Sequence, residues 1–318
     1  MKATHANENH ILAPVWVGGD PSSEHIRALA CKLAATSSTL LIVGESGTGK
    51  DLLAGIIHYL GPNRSEPLLK IDCSTLPEAL IESELFGHER GAFTGATSVK
   101  EGRLELAGRG TVVLDEVAAL TLAMQAKLLR VVDQRTFERL GGTSTQRLEA
   151  RIMALTAADL SRGVADGSFR EDLYFRLSVI PVTLPPLRDR RGDIRPLADY
   201  FLGKLAPVHR SPARAFAPEA LRALEEYDFP GNVRELRNII ERALVESHDE
   251  QIKRENLPAF MGRPAGGDNE RKVTLAEMES DHIRGVLKAT GNRKSEAAAI
   301  LGISRKTLLE KRKRYHLD

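Results

Sequence analysis

Seven residues near position 50 have the types and spacing of a phosphate-binding loop. They are Gly44, Glu45, Ser46, Gly47, Thr48, Gly49 and Lys50. The glycines allow backbone amides to surround phosphate oxygens, the lysine reaches the terminal phosphates, and the next helix contributes its positive end. The loop follows an apolar run at 39–43 and precedes a helical pattern at 51–60. The sequence therefore predicts a nucleotide-binding site, in preference to a plain tight turn.

Two acids at the end of a second apolar run predict hydrolytic chemistry. Residues 111–116 read Thr-Val-Val-Leu-Asp-Glu, and the carboxyl end of such a strand lies beside the phosphate loop in parallel sheets. Asp115 would hold Mg²⁺ through water, and Glu116 would polarise the attacking water as a general base. Asp51 stands where the general motif has Ser or Thr, so the metal would depend more on Asp115 and water. The alternative is a strand that ends in two solvated acids.

Two arginines and one small-residue loop have no role in an isolated nucleotide site. Arg170 and Arg176 are six residues apart. Spacing alone favours surface charges, but in an oligomeric ATPase they could reach the neighbouring subunit's terminal phosphate. The loop lies between the two nucleotide motifs and consists of Gly91, Ala92, Phe93, Thr94, Gly95 and Ala96. One aromatic in a small-residue frame suits insertion into a partner, whereas the alternative is a loop that folds back and buries Phe93.

The elements that must position these residues alternate between strands and helices up to about residue 184. Five short apolar runs are predicted as buried strands: 39–43, 68–71, 111–114, 152–155 and 179–183. This alternation predicts an α/β fold with a mainly parallel sheet covered on both faces. After Leu184-Pro185-Pro186 the strand signals stop, and three helices are predicted: 194–205, 218–227 and 233–247. The last would be capped by Asn232, with Glu235 three positions later.

The end of the chain is predicted to be a separate all-α helix-turn-helix module. Residues 291–318 include eight basic and three acidic side chains, a net charge of +5 against −3 elsewhere, which indicates a nucleic-acid-binding end. Helical patterns at 274–289 and 295–301 precede a turn, Gly302-Ile303-Ser304, and a third helix suited to the major groove. The predicted DNA-contacting residues are Arg305, Lys306, Thr307, Glu310, Lys311 and Arg312. The alternative is a solvated basic helix.

Composition and motif positions indicate several domains in a reducing compartment. The chain has 318 residues, 42% of them hydrophobic and 28% charged, and its polar start lacks an apolar signal segment. No run approaches the roughly 18 apolar residues of a membrane span. Cys31 and Cys73 are too few for a disulfide framework. We expect a soluble, cytoplasmic protein with buried thiols and no membrane partner. Its expected parts are a polar segment at 1–13, an ATPase core at 14–184, a lid at 185–260, a linker at 261–273 and a DNA-binding module at 274–318.

Taken together, these motifs resemble the bacterial enhancer-binding proteins, the AAA+ activators of sigma-54 RNA polymerase. The resemblance runs from about residue 15 to the C-terminus and includes a Fis-type helix-turn-helix. Besides the phosphate loop, Leu114-Asp115-Glu116 and residues 91–96, it rests on four stretches. They are Glu84-Leu85-Phe86-Gly87-His88-Glu89, Phe169-Arg170-Glu171-Asp172-Leu173, Leu184-Pro185-Pro186-Leu187-Arg188 and Pro230-Gly231-Asn232-Val233-Arg234-Glu235-Leu236.

The resemblance implies a AAA+ phosphate-loop core with a helical lid. The implied function is activation from upstream double-stranded DNA, with ATP hydrolysis remodelling sigma-54 RNA polymerase for promoter opening. The site residues that it implies are Lys50 for phosphate, Asp115 for Mg²⁺, Glu116 for water, Arg170 and Arg176 as fingers acting across subunits, and Arg234 as the lid arginine that senses nucleotide. Residues 91–96 would contact the sigma factor, and Val17 and Gly18 would line the adenine pocket. The family forms rings, usually hexamers.

Two positions depart from the family pattern. The fourth strand usually ends in Ala-Thr-Asn, whose Asn senses the terminal phosphate, but the stretch here is Leu155-Thr156-Ala157. Asp72 replaces an Asn that restrains the catalytic glutamate, and its charge would repel Glu116 unless a proton or a cation intervenes. These changes support an alternative function, a nucleotide-gated DNA-binding regulator that does not remodel the sigma factor. Because the core begins near the N-terminus, we also expect control by a separate regulatory protein or by the amount of the chain.

Overall fold

The computed structural model describes residues 14–262 and a few residues of the C-terminal part: Lys294, Ala298, Thr307, Leu308, Lys311, Arg312 and Tyr315. The chain divides into two compact units, one ending at Gly262 and one beginning at Arg263. The predicted segment at 1–13 lies outside the described residues, as does most of the predicted linker.

A five-stranded parallel sheet forms the base of the first unit and confirms the predicted α/β class. The strands in chain order are β1 (Leu40–Val43), β2 (Leu68–Asp72), β3 (Gly87–His88), β4 (Lys100–Glu101), β5 (Thr111–Asp115), β6 (Thr136–Glu138), β7 (Thr145–Arg147), β8 (Arg151–Thr156), β9 (Ile180–Thr183), β10 (Ala215–Phe216) and β11 (Gln251–Ile252). The spatial order of the main sheet is β2-β5-β8-β1-β9. In this register Ile42 of β1 lies between Leu155 and Val182.

Helices cover both faces of the sheet, as its apolar strands require. The α-helices of the first unit, including the three that form the lid, are α1 (Pro21–Ala34), α2 (Lys50–Leu60), α3 (Glu78–Phe86), α4 (Arg103–Leu106), α5 (Leu122–Gln134), α6 (Leu160–Asp166), α7 (Glu171–Leu177), α8 (Ile194–Leu205), α9 (Pro218–Glu226) and α10 (Asn232–Glu246). Because side chains alternate along a strand, Val112 and Leu114 of β5 pack on one side with Leu128 of α5. Val113 packs on the other side with Ile57 of α2.

The lid, helices α8 to α10, has its own core around Phe229, Leu236 and Ile240, all fully buried. Two predictions about it are wrong. Strand structure does not stop after β9, because the two-residue strands β10 and β11 pair in parallel. Asn232 is not the cap of α10 but its first residue, and the cap is Gly231, whose N–H donates to the Glu235 carboxylate at 2.7 Å. The side chain of Asn232 instead accepts a 2.8 Å hydrogen bond from the N–H of Leu187, which attaches α10 to the segment that precedes α8.

Two short antiparallel pairs extend from the core. Strands β3 and β4 flank the loop that contains residues 91–96, and β6 pairs with β7. The N–H of Glu89 donates to the carbonyl oxygen of Leu140 at 2.9 Å, and Arg139 bonds both Glu89 and Glu105. The base of the loop that contains residues 91–96 is therefore fixed to the β6–β7 pair.

The two cysteines differ in exposure, so the prediction of two buried thiols is wrong for Cys31. Helix α1 buries Ile26, Ala30 and Leu33, and Cys31 lies on its opposite, solvent-facing side. Cys73 is buried after β2, and burial raises the pKa of its thiol to about 12.

Candidate functional site

The phosphate-binding loop connects β1 to α2, as predicted. Gly47 and Gly49 have φ angles of 79° and 106°, which other residues rarely adopt. A Cβ atom on Gly47 would lie 2.4 Å from the carbonyl oxygen of Gly231, so the lid can approach only because this residue is glycine. Lys50 is 7% exposed, and its Nζ donates to the carbonyl oxygen of Gly44 at 2.7 Å. The loop thus holds the lysine against its own backbone, beside the amides that would bind phosphate.

Glu116 is fixed from two sides at the carboxyl end of β5. It adopts a left-handed conformation with φ of 51°, which in a non-glycine residue is costly and is characteristic of functional sites. Its Oε1 lies 3.5 Å from Nζ of Lys50, and its Oε2 accepts a 3.0 Å hydrogen bond from the N–H of Ala157. The backbone amide at position 157 therefore holds the glutamate, although the side-chain amide typical of the family is missing.

Lys70 is a site residue that the sequence analysis missed. It lies on β2, and its Nζ is 2.7 Å from Oδ2 of Asp115 and 2.7 Å from Oδ2 of Asp51. Burial acts to lower the pKa of Lys70, but hydrogen bonds to these two carboxylates raise it overall. The lysine therefore stays charged and neutralises the acid that replaces the usual Ser or Thr. Its position near the carboxyl end of the strand beside β5 was the only available signal.

The Asp72 carboxylate is hydrogen-bonded to Ser74. Its Oδ1 accepts bonds from the N–H of Ser74 at 2.8 Å and from the Ser74 hydroxyl at 2.7 Å. These bonds hold the pKa of Asp72 below its usual range, and the nearby Lys70 adds a smaller effect in the same direction. Asp72 is therefore a charged carboxylate, and Ser74 and Lys70 stabilise its charge.

Three residues of the predicted lid, 185–260, donate hydrogen bonds to side chains of the phosphate loop. Nη1 of Arg234 donates to Oγ of Ser46 at 2.8 Å. Arg188 forms two bonds to the Glu45 carboxylate, of 2.9 and 2.6 Å, and Asn232 donates to the same carboxylate at 3.0 Å. Arg188, and then Asn232, lower the pKa of Glu45 to about 2. The sequence predicts Arg234 as a lid arginine, but the contacts of Arg188 and Asn232 with the loop leave no local pattern, because the paired residues are far apart in the chain.

A buried network joins the segment that precedes α8 to the phosphate loop. Arg190 is 1% exposed, and its Nη2 donates to the carbonyl oxygen of Thr48 at 2.6 Å. Its guanidinium carbon lies 5.1 Å from the ring centroid of Trp16, in the range of a cation–π contact. Asp193 is fully buried, 3.7 Å from Nη1 of Arg190, and accepts a hydrogen bond from the Ser23 hydroxyl.

Trp16 also borders a cavity of about 300 Å³ beside the phosphate loop. Val17 and Thr48 lie in its wall together with the lid residues Leu197 and Phe201. The apolar wall and the position next to the loop suit a nucleobase. Gly18, the other residue expected in an adenine pocket, faces elsewhere, because a Cβ there would lie 2.3 Å from Oδ1 of Asp193.

The two predicted finger arginines stay away from this chain's own loop. Arg170 forms bonds of 3.0 and 2.8 Å to Asp172, and Nη2 of Arg176 lies 2.5 Å from Oδ1 of Asp133. Both side chains are exposed, 41% and 59% respectively. The N–H of Arg170 donates to Oε1 of Gln125 at 2.8 Å, which positions the start of α7.

The six-residue loop is a compact turn with an exposed tip. The N–H of Gly91 donates to the carbonyl oxygen of Ala96 at 2.9 Å, and Gly91 and Gly95 have φ of 84° and 110°. Thr94 is exposed, and Phe93 is 46% exposed. The Phe93 ring meets His88 edge-on, with 5.0 Å between centroids. The loop neither buries Phe93 nor frees it completely.

Only half of the predicted DNA-contacting residues lie within the described part of the chain. Thr307, Lys311 and Arg312 are helical and half-buried, and the neighbouring Leu308 is fully buried. Arg305, Lys306 and Glu310 lie outside the described residues. No helix in the described ranges combines the length and the hydropathy that a membrane span requires.

Three family descriptions match successive parts of the chain. Residues 16–183 match the Sigma-54 interaction domain, residues 188–273 the AAA+ ATPase lid domain, and residues 274–315 the Bacterial regulatory protein, Fis family. Together they reproduce the predicted order of an ATPase core, a lid and a helix-turn-helix.

Individual proteins give the same result. The chain is 42% identical over 307 residues to the nitrogen fixation protein VnfA of Azotobacter vinelandii, covering 95% of this chain but only 59% of VnfA. It is 41% identical over 333 residues to the regulatory protein AtoC of Escherichia coli strain K12, covering 100% of this chain and 72% of AtoC. A crystal structure of NtrX from Brucella abortus superposes with a TM-score of 0.77 at 33% identity, covering 95% of this chain and 69% of that one. NtrX in complex with ATP superposes with a TM-score of 0.72 at the same coverage and identity.

Proposed function

Because this chain belongs to the sigma-54 interaction domain family of AAA+ ATPases, we propose that it is a sigma-54-dependent transcription activator. It binds upstream DNA and uses ATP hydrolysis to remodel sigma-54 RNA polymerase for promoter opening. The observation that carries the proposal is one domain that holds Glu116 beside the buried Lys50 and also exposes Phe93 and Thr94 at the tip of a loop. A hydrolytic site and an exposed contact loop in one domain are the two parts that this work requires.

At the nucleotide site, the backbone amides of residues 44–50 bind the phosphates. Lys50 contributes its positive charge, and Glu116 acts as the general base, since both its oxygens are oriented by Lys50 and Ala157. Arg234 senses the nucleotide. Its present partner is the hydroxyl of Ser46, a neutral group that a phosphate oxygen can replace. This exchange would couple lid position to the state of the nucleotide.

Mg²⁺ fits this site through Asp115, with Asp51 as a second carboxylate. In nucleotide sites Mg²⁺ takes one or two carboxylates and completes its shell with phosphate oxygens and water. Lys70 bridges these two carboxylates, so its ammonium has to move aside for the metal. When bound, Mg²⁺ would neutralise charge on the transferred phosphate.

Ring assembly completes the site with Arg170 and Arg176 of the neighbouring subunit. Each guanidinium is exposed and pairs with a carboxylate of its own chain. Exposed ion pairs contribute little to stability, so little is lost when such an arginine turns to a neighbour's phosphate. A bidentate contact to phosphate is much stronger. We propose a ring, with six subunits as the resemblance implies.

Different parts of the chain contact the two partners. Residues 91–96 contact the sigma factor, with Phe93 and Thr94 at the tip. Arg305, Lys306, Thr307, Glu310, Lys311 and Arg312 contact the DNA. The domain boundaries proposed above follow from this layout, and the partners, RNA polymerase and DNA, indicate action in the cytoplasm. A separate regulatory protein stays a prediction.

Mixed rings test the catalytic assignment. Glu116→Gln removes the base, and Arg176→Met removes the finger, so each variant alone should turn over little ATP. If Arg176 acts across subunits, equal mixing restores turnover at roughly a quarter of the interfaces, because each interface takes its base and finger from different chains. Turnover per chain should also rise with protein concentration in the wild type. Mixed rings that form by mass analysis but stay inactive would contradict the assignment.

Promoter opening separates the proposed activator from the alternative regulator. With sigma-54 polymerase and an upstream site supplied, opening should require ATP and fail with a non-hydrolysable analogue. The alternative, a nucleotide-gated regulator, predicts equal effects of both nucleotides and no effect of Glu116→Gln. The contact between Glu116 and the N–H of Ala157 supports the activator, because it orients the catalytic base.

A further inference from the structure

A cation-rich cavity lies at the edge of the main sheet opposite the phosphate loop, beside Thr111 and Arg151, the first residues of β5 and β8. It consists of two hollows of about 170 and 410 Å³, which share Asn63, Arg135 and Glu149 in their walls. None of the residues assigned to ATP hydrolysis, sigma contact or DNA binding lines it.

The charges around this cavity do not balance. The wall contains the arginines Arg109, Arg135, Arg147 and Arg151 and a single acid, Glu149. Glu149 pairs with Arg109 at 3.0 Å. The other three guanidiniums have no carboxylate partner among the described residues. His58 adds no charge to this balance, because burial lowers its pKa and favours the neutral imidazole, whose Nδ1 bonds the Thr111 hydroxyl at 2.9 Å.

Arg135 is the most unusual of these cations. It caps α5 in a left-handed conformation with φ of 57°. Its N–H donates to Val131 and its carbonyl oxygen accepts from Leu148 at 2.7 Å. The backbone is thereby fixed, yet no hydrogen bond or ion pair of its guanidinium occurs within the described residues. Burial lowers the pKa of this half-buried group with no acid to oppose it. Desolvating a cation in this way is unfavourable unless a counter-charge is supplied.

Arg151 provides a second fixed positive charge. Its Nη2 donates to the carbonyl oxygen of Leu33 at 3.0 Å and to the Thr36 hydroxyl at 3.1 Å, and its Nε donates to the carbonyl of Ser38 at 3.2 Å. All three acceptors are neutral. They hold the guanidinium rigidly in the wall without cancelling its charge.

We propose that this cavity binds a small phosphate dianion, supplied either as inorganic phosphate or as a phosphate monoester. Guanidinium groups match phosphate oxygens in paired hydrogen bonds, and three uncompensated positive charges favour a dianion over a single carboxylate. Arg151 is held in place before the ligand arrives, which reduces the ordering cost of binding. The narrower hollow, with small and apolar residues such as Ala35, Ile57 and Pro62, leaves room for the organic part of a monoester.

Calorimetry on the full-length chain tests the proposal with the phosphate loop already filled by saturating Mg-ADP. Titration with inorganic phosphate, and separately with ribose 5-phosphate, should each show one saturable site. Arg135→Met should weaken binding about tenfold, as expected for one charge-assisted hydrogen-bonding group. Arg147→Met, on the exposed strand β7, should weaken it about threefold. Arg222→Met, an exposed arginine of the lid, is the matched control and should change nothing.

The relative affinity identifies the source of the ligand. Tighter binding of ribose 5-phosphate supports a monoester, and tighter binding of inorganic phosphate supports the free ion. The proposal is overturned if neither probe binds saturably. It is also overturned if both cavity variants bind like the wild type while retaining ADP affinity, or if a poly-glutamate peptide binds where both phosphates fail.

Discussion

Replacing Arg190 with methionine should destabilise the ATPase core far more than its position at a domain boundary indicates. The guanidinium is 1% exposed and lies between the Trp16 ring, the carbonyl oxygen of Thr48 and the carboxylate of Asp193. Methionine has a similar length and fills much of the space, but it carries no charge and no donor. The substitution leaves Asp193, which is fully buried, without its cation.

The size of the effect follows from this uncompensated charge. Removing one partner of a buried ion pair costs about 3–5 kcal/mol. The lower end is expected here, because the closest distance is 3.7 Å and Nε of Arg190 has no partner in the described structure. For a unit of this size, 1 kcal/mol corresponds to roughly 2–4 °C in Tm. We therefore expect the core transition of the Arg190→Met variant to fall by about 6–12 °C.

Scanning calorimetry of the full chain measures this shift, and Arg188→Met is its matched control. Arg188 is two residues away and also pairs with a carboxylate, Glu45, but both side chains are about 40% exposed, so its loss should cost about 1 kcal/mol at most. Combining Arg190→Met with Asp193→Asn should recover part of the loss, because the second change removes the unpaired charge. Equal shifts for Arg190→Met and Arg188→Met would refute the buried-charge argument.

Three further predictions concern the site itself. Lys70→Met removes the cation that competes for Asp115, so the Mg²⁺ concentration at half-maximal binding of fluorescent ADP should fall about threefold to tenfold; an unchanged midpoint would exclude this role. Thr94→Ala should leave ATP turnover largely intact and abolish promoter opening, whereas normal opening would remove this residue from the sigma contact. Arg188→Met should raise the pKa of Glu45 from about 2 towards its ordinary value of 4.5, measured by carboxyl NMR. Since that pKa is depressed, the contact between lid and loop stabilises the protein above about pH 4.5 and is lost as the pH falls towards 2. A Glu45 pKa that stays near 2 in the variant would assign the shift to Asn232.

The order of elements in the core is predictable because each carries its own local signal. The helix at Ile194–Leu205 has the bounds that its apolar period predicts, and the strand at Thr111–Asp115 extends the predicted run by one residue. The phosphate loop is equally local, since its glycines must stand where φ is positive. Such features need only a few neighbouring residues to be recognised.

Contacts between distant parts of the chain leave no such trace. The sequence around Lys70 reads as an ordinary strand, and only the pairing of β2 with β5 brings its ammonium to Asp115. The misplaced cap of α10 has a similar cause. Asn232 is a good capping residue by type, but its side chain is engaged with Leu187 and with Glu45, which lies 187 residues earlier.

The positions that depart from the general pattern are connected in space, and this bears on whether the site hydrolyses ATP. One ammonium, that of Lys70, pairs with Asp51 and lies close enough to Asp72 to lower its pKa. The extra acids therefore do not act on Glu116 as unpaired charges. Ala157 lacks the side-chain amide that would sense the terminal phosphate, but its main-chain N–H bonds Glu116 directly. Since the extra acids are paired and Glu116 is held by Lys50 and by the main chain, the geometry favours an active ATPase over a nucleotide-gated switch.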